Sequence, residues 1–210
     1  MSALPAQRKH AQQERPAEPP QDADDLALAA ALRENPTATA ERIHARFAKD
    51  VNRLVWRLLG ADAEHHDLVQ QVFLKIIVNG RRLRDPERLS SWVQAITVNT
   101  VYEELRKRDL RRLLHRDTPT NLHPNLVRDV ELRDLLLRAK AMMDKLPAKE
   151  RIVFVLHHVE GRTLADVADL CGFSLATAKR RLGAAHRRFE RLAAGAPDLL
   201  SLFSRERDAP

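Results

Sequence analysis

Three sets of side chains in this sequence could do chemistry, and two of them lack the spacing for it. His65, His66 and Asp67 are consecutive, as are His157 and His158. Neighbours on a helix point about 100° apart, so neither pair closes easily on one ion as an i, i+4 pair does. Cys171 is the single cysteine, which excludes an intramolecular disulfide and a multi-cysteine zinc site. No glycine loop with a phosphate-binding Lys occurs, and no nucleophile motif. The sequence therefore assigns no catalytic residue, no metal and no cofactor, and an enzyme is not expected. The third set is arginine. Lys and Arg total 36 against 29 Asp and Glu, a net charge of +7. Planar guanidinium forks fit phosphates and base edges, so nucleic acid is the expected partner before an acidic protein.

The arginines need elements to hold them, and the periodicity says which. Only six glycines occur, strand-like alternation is absent, and apolar residues recur every three to four positions from Leu26 onward. The chain reads as all-α. A first helical block spans residues 25–116 and a second 130–195, two small domains that this length allows. Residues 117–129 contain Asp117 to Asn125, whose prolines and turn formers interrupt any helix and make a flexible linker. Residues 1–24 carry Pro5, Pro16, Pro19 and Pro20 among polar residues and read as a disordered tail with no signal-peptide core; residues 196–210 form a second tail. No run reaches the roughly 20 apolar residues of a spanning helix. A soluble, cytoplasmic protein without membrane insertion is expected.

The second block is the more explicit. Pro147 suits the first turn of a helix that buries Ile152, Val153, Leu156 and Val159 and ends at Gly161. Thr163 then caps a short helix, with Asp166 as the acid of a capping box. Gly172 can take a left-handed turn, and Ser174 can cap the next helix. A short helix, a glycine turn and a second helix make a helix-turn-helix. In the last helix Leu175, Ala178, Leu182, Ala185, Phe189 and Leu192 form one inward stripe, and Arg180 falls opposite it. Ala176, Thr177, Ala184 and Arg187 surround Arg180, and Arg181 and Arg188 flank them. Small residues let such a face approach a major groove, where Arg and Thr reach base edges or phosphates. Lys179 and His186 lie nearer the stripe and suit backbone contacts.

In the first block, Phe47, Val51, Leu54, Val55, Leu58 and Leu59 line a helix ending at Gly60, and Asp62 could begin the next. From Glu64 to Ile77, Leu68, Val69, Val72, Phe73, Ile76 and Ile77 face inward, leaving Asp67, Gln70, Gln71 and Lys75 as a polar strip. A further helix starts near Ser91 and Trp92 and passes Ile96, Asn99, Tyr102 and Leu105. It ends in a basic run with six Lys or Arg between Arg106 and Arg116. That run either complements the helix dipole or binds phosphate. Arg81, Arg82, Arg84 and Arg88 precede this helix and can follow phosphates, and the Asn99 amide can pair with a base edge. Trp92 reads as a core residue.

Both blocks resemble one family. Leu146-Pro147, Arg151, Phe154, Leu156, Glu160-Gly161, Val167-Ala168, Gly172, Ser174, Thr177, Lys179, Arg181-Leu182 and Ala185 stand in the order of sigma region 4. Asp67 to Leu74 resembles the region 2.2 signature, and Trp92 to Ile96 with Asn99 resembles regions 2.3 and 2.4. The chain is thereby similar to sigma-70 family RNA polymerase sigma factors of the extracytoplasmic-function type. The resemblance implies that Asp67, Gln70 and Gln71 dock on the clamp coiled coil of the largest subunit of core RNA polymerase, with the flap region as a second contact. It implies that Arg84, Arg88, Asn99, Arg106 and Arg108 bind the −10 non-template strand, and that Ser174, Thr177, Lys179, Arg180, Arg181 and Arg187 bind the −35 duplex of promoter DNA. It also implies an anti-sigma factor as regulator. Gln71 stands where the family commonly has Glu, His66 where it has an acid, Ala178 where it often has Val and Arg180 where it often has Ser. A stand-alone helix-turn-helix regulator would account for residues 146–192 equally, but would leave Asp67 to Leu74 and the second basic block without a role.

Overall fold

The computed structural model describes residues 21–60, 62–114 and 130–194. The stretches read as linker and C-terminal tail lie outside these residues, as do residues 1–20 of the N-terminal tail. Among the described residues there are eight α-helices and no strand: α1 Gln21–Glu34, α2 Pro36–Leu59, α3 His65–Asn79, α4 Leu89–Leu114, α5 Val130–Met143, α6 Ala148–His158, α7 Leu164–Cys171 and α8 Leu175–Leu192. None of them is long and apolar enough to cross a membrane.

The first domain is α1 to α4. Helix α2 starts where Asn35 accepts a hydrogen bond from the Ala38 amide at 3.1 Å and Pro36 takes the first turn, so α1 and α2 are separate helices. The apolar periodicity runs through this break, and residues 21–24, read from the sequence as tail, lie in the first turn of α1. Ile43, Phe47, Val51, Leu54, Val55, Leu58 and Leu59 bury the face of α2 that meets α3 and α4. Full burial of each such side chain contributes about 1.5–3 kcal/mol. Helix α1 packs on α2 and also on two short 3-10 turns, Gly80–Arg82 and Pro86–Arg88. Gly80 is buried there, and a Cβ at this position would lie 2.9 Å from the Leu32 side chain. With Leu83 and Leu89 also buried, the loop is pinned from beneath and its arginines point outward.

The second domain is α5 to α8. Helices α6, α7 and α8 pack on one another around Ile152, Phe154, Leu156, Val167, Leu182 and Phe189. The Phe154 and Phe189 rings stack with centroids 5.2 Å apart. This domain does not stand apart from the first, because α6 and α7 pack on α4, and α6 also on α2.

Candidate nucleic-acid interface

Local chemistry fixes the geometry of α7 and α8. The Thr163 hydroxyl accepts from the Asp166 amide at 3.2 Å, and the Asp166 carboxylate accepts from the Thr163 amide at 3.3 Å, closing the capping box. Gly172 ends α7 in the left-handed region at φ 64°, ψ 34°, which L side chains rarely adopt. Ser174 caps α8 by accepting from the Thr177 amide at 3.2 Å. The predicted helix-turn-helix is therefore present with each punctuating residue in its predicted role.

On α8 the buried side consists of Ala178, Leu182, Ala185 and Phe189. Ser174, Ala176, Lys179, Arg180, Arg187 and Arg188 are exposed, and Thr177 and Ala184 are partly so. Three side chains differ from the angular expectation, the first being Leu175, which the stripe places inward and which is 44% exposed at the start of α8. Lys179 reaches solvent although its Cα lies near the stripe, because its long stem carries the ammonium outward. Arg181 is half-buried, with its guanidinium over the Phe173 ring at 5.4 Å from the centroid and its Nε enclosed without a hydrogen-bond partner. Arg188 is paired with Glu150 at 2.9 Å. His186 packs edge-on to Phe154, and its Nε2 meets His158 Nε2 at 2.6 Å, so one ring donates to the other. Among the described residues no group of three or more His, Cys, Asp or Glu is placed to hold a metal. His65 meets Asn52 at 3.2 Å and His66 meets Gln70 at 2.8 Å. Burial pushes the Cys171 thiol up to about 12, so it stays protonated and unreactive.

A second basic surface runs along α4 and the loop ahead of it. Arg81, Arg82, Arg84 and Arg88 are exposed on the anchored turns. At 100° per residue, Trp92, Asn99 and Arg106 share one face of α4, and Asn99 and Arg106 are exposed. Trp92 has a double position: it packs on the core, as expected, and also lines a cleft with Arg82, Arg84 and Arg88.

Arg108, which the resemblance implies for the −10 strand, stands apart from that surface. It points to the other side of α4 and spends its guanidinium on Asp62 at 2.6 and 3.1 Å, Glu64 at 2.6 Å and Glu104 at 3.1 Å. Its side chain is 11% exposed. Burial opposes the charged forms, but the mutual hydrogen bonds and charges outweigh it, raising the Arg108 pKa and holding the Asp62 carboxyl below its ordinary value. This guanidinium fastens the α2–α3 connection to α4.

On α3 the residues Asp67, Gln70, Gln71, Leu74 and Val78 lie within one narrow strip, and all are exposed. Leu74 is 64% and Val78 79% exposed. The strip is thus polar at its N-terminal end and apolar at its C-terminal end, a feature that the polar reading missed.

Comparison with known proteins agrees with both domains. The family description "Sigma-70 region 2" matches residues 43–111, and "Sigma-70, region 4" matches residues 136–188. The RNA polymerase sigma factor CarQ of Myxococcus xanthus is 31% identical over 156 residues, covering 72% of this chain and 86% of that protein. The RNA polymerase sigma factor SigV of Bacillus subtilis is 26% identical over 137 residues, covering 64% of this chain and 78% of that protein. The fold is shared with CnrH, solved in complex with the cytosolic domain of CnrY, at a TM-score of 0.56 and 21% identity over 82% of this chain and 98% of that one. It is also shared with the sigma factor RpoE of Bartonella quintana, solved with the anti-sigma factor NepR, at a TM-score of 0.54 and 22% identity over 73% and 96%. With more than half its length inside two sigma-70 regions in their proper order, the chain belongs to the extracytoplasmic-function group of sigma-70 factors, which direct RNA polymerase to initiate transcription.

Proposed function

We propose that the two domains divide promoter recognition between them. Residues 25–116 dock on the clamp coiled coil of core polymerase through Asp67, Gln70 and Gln71, with Leu74 and Val78 extending the same strip. The exposed residues Arg84, Arg88, Asn99 and Arg106 take the opened −10 strand. Opening costs a few kcal/mol of unstacking, which contacts available only to the single strand must offset. With aromatic residues at 4% of the sequence, stacking platforms are few, so initiation should depend strictly on a good −10 sequence. Residues 130–195 hold the −35 duplex through Ser174, Thr177, Lys179, Arg180 and Arg187, with Arg181 supporting the turn through Phe173, and meet the flap region of the polymerase. Residues 117–129 tether the two domains. The protein acts by binding and leaves catalysis to the polymerase, in the cytoplasm where promoters are. By likeness to the sigma factor RpoE, solved with the anti-sigma factor NepR, an anti-sigma protein is its regulator.

The observation that carries this reading is a fully capped helix-turn-helix with Thr177, Lys179, Arg180 and Arg187 on its solvent side, in one chain with a separate row of exposed arginines. Run-off transcription with core polymerase on genomic fragments tests it. Start sites that depend on this chain, with shared upstream hexamers lost on scrambling, are expected. A chain that fails to bind core polymerase at low salt, or binds equally well after Gln70→Lys and Gln71→Lys, would refute the docking assignment.

A further inference from the structure

The first turn of α8 has few free polar groups. Ser174 Oγ accepts from the Thr177 amide at 3.2 Å and meets Thr177 Oγ1 at 2.9 Å, so the two hydroxyls at this end of the helix are engaged with each other. Arg181, a turn further on, lies over the Phe173 ring. Between Ser174 and Thr177 stand Leu175 and Ala176, both exposed. Leu175 is 44% exposed, and no other large apolar side chain of α8 is exposed.

Its exposure follows from where the helix begins. By angle Leu175 belongs with Ala178, Leu182 and Ala185, which are buried on the side of α8 that meets α6 and α7. The Cα–Cβ bonds of a helix lean toward its N-terminus. Leu175 is the first residue of α8, so its side chain projects beyond the part that the neighbouring helices cover. That end is the one a helix-turn-helix presents to base edges. In the major groove the base pairs differ in their donors and acceptors, and the one apolar feature is the C5 methyl of thymine. The arginines, lysine and hydroxyls of α8 suit the polar features. Leu175 offers neither donor nor acceptor and matches the methyl. Ala176 beside it is too short to hold the helix away from the groove.

We infer that Leu175 is a specificity-determining residue of the −35 interface, packing on the C5 methyl of one thymine and so selecting an A·T pair of one orientation at that step. The inference rests on the assignment of the −35 duplex to α8, and adds to it a base pair chosen by apolar contact without a hydrogen bond.

Holoenzyme assembled from the full chain and core polymerase, on a promoter fragment mapped by run-off transcription, provides the test. Each thymine of the upstream hexamer, on either strand, is replaced singly by deoxyuridine, which removes the methyl and leaves the base pairing intact. For the parent, one replacement should weaken binding about fourfold, the equivalent of one buried methyl group, read as the half-saturating holoenzyme concentration in fluorescence anisotropy. Leu175→Ala should bind the unmodified fragment about fourfold or more weakly and lose the difference between thymine and deoxyuridine at that position. Leu175→Met keeps the apolar volume and should retain most of the difference. A converse arm adds the methyl: with a C·G pair in place of that T·A pair, 5-methylcytosine should bind the parent more tightly than cytosine, and Leu175→Ala should bind both equally. The inference is overturned if no deoxyuridine replacement changes the affinity of the parent, if Leu175→Ala keeps the full difference, or if Leu175→Met loses it as completely as Leu175→Ala. Scrambling the whole hexamer separates the two failures. Unchanged holoenzyme affinity after scrambling refutes the −35 assignment and the inference with it, whereas a hexamer that matters while its methyl groups do not refutes the role of Leu175 alone.

Discussion

Replacing Arg108 with Met should cost the first domain its stability rather than a DNA contact. The Asp62 side chain is 0% exposed, and Arg108 is its ion-pair partner at 2.6 Å. Removing the guanidinium leaves that carboxylate buried and unpaired, a situation worth about 3–5 kcal/mol. Glu64 is 51% exposed, so its share is about 1 kcal/mol or less. At roughly 4–8 °C per kcal/mol for a domain of this size, the melting midpoint should fall by at least about 12 °C. Circular dichroism melts at neutral pH measure this, with exposed Arg106→Ala as the control expected to stay within about 0.5 kcal/mol of the parent. The acid limb supplies a second readout. Asp62 titrates below its ordinary 3.8 in the folded chain, so its contribution is complete above that pH and is lost as pH falls through the depressed folded value. The gap between parent and Arg108→Met should therefore narrow below about pH 4. Adding Asp62→Leu to Arg108→Met should recover part of the loss, since an apolar pair can replace a buried ion pair. An Arg108→Met variant that melts within about 2 °C of the parent yet no longer binds promoter DNA would refute this account.

Leu74→Ser with Val78→Ser should leave the melting midpoint nearly unchanged, because both side chains are exposed, while weakening retention by core polymerase in a pull-down. Arg180→Ala should weaken a −35 duplex by about 1–3 kcal/mol and relax its sequence preference, whereas Lys179→Ala should weaken all duplexes alike and reduce the salt slope by about one, both read by fluorescence anisotropy. Thr163→Ala breaks the capping box and should lower the stability of the second domain by about 1 kcal/mol in urea titration. Burial pushes the Asp144 carboxyl up, but Arg151 and Lys140 hold it below its ordinary value, so Asp144→Asn should remove part of the stability that the parent loses when pH falls below about 4, measured by urea titration.

What could be read from the sequence was what depends on near neighbours. Thr163, Asp166, Gly172 and Ser174 act within a few residues of one another, so their roles follow from residue type and offset alone. The break at Asn35-Pro36 carries an equally local signal and was legible, but the continuous apolar period across it masked it. Leu74 and Val78 were also within reach, because counting 100° steps from Asp67 puts them on the outward strip; treating apolar residues as inward concealed them. Arg108 was not legible. Its partners Asp62 and Glu64 lie more than forty positions away, and a basic run at a helix end gives no sign of which side chain turns inward. The docking of the domains was likewise hidden, since each of its contacts joins residues far apart in sequence.

The Asp109 to Ala148 contact makes one backbone amide a natural reporter. That N–H sits in the first turn of α6, where no intrahelical acceptor exists, so its shielding from solvent comes from a carboxylate on the other half of the chain. Deuterium should enter Ala148 at the frequency with which the halves part, while amides deep in α6 wait for unfolding of their own domain. The ratio of the Ala148 rate to its rate in an unprotected chain gives the energy of parting in the unlabelled, unmutated protein, and its change upon adding polymerase registers engagement without any promoter present.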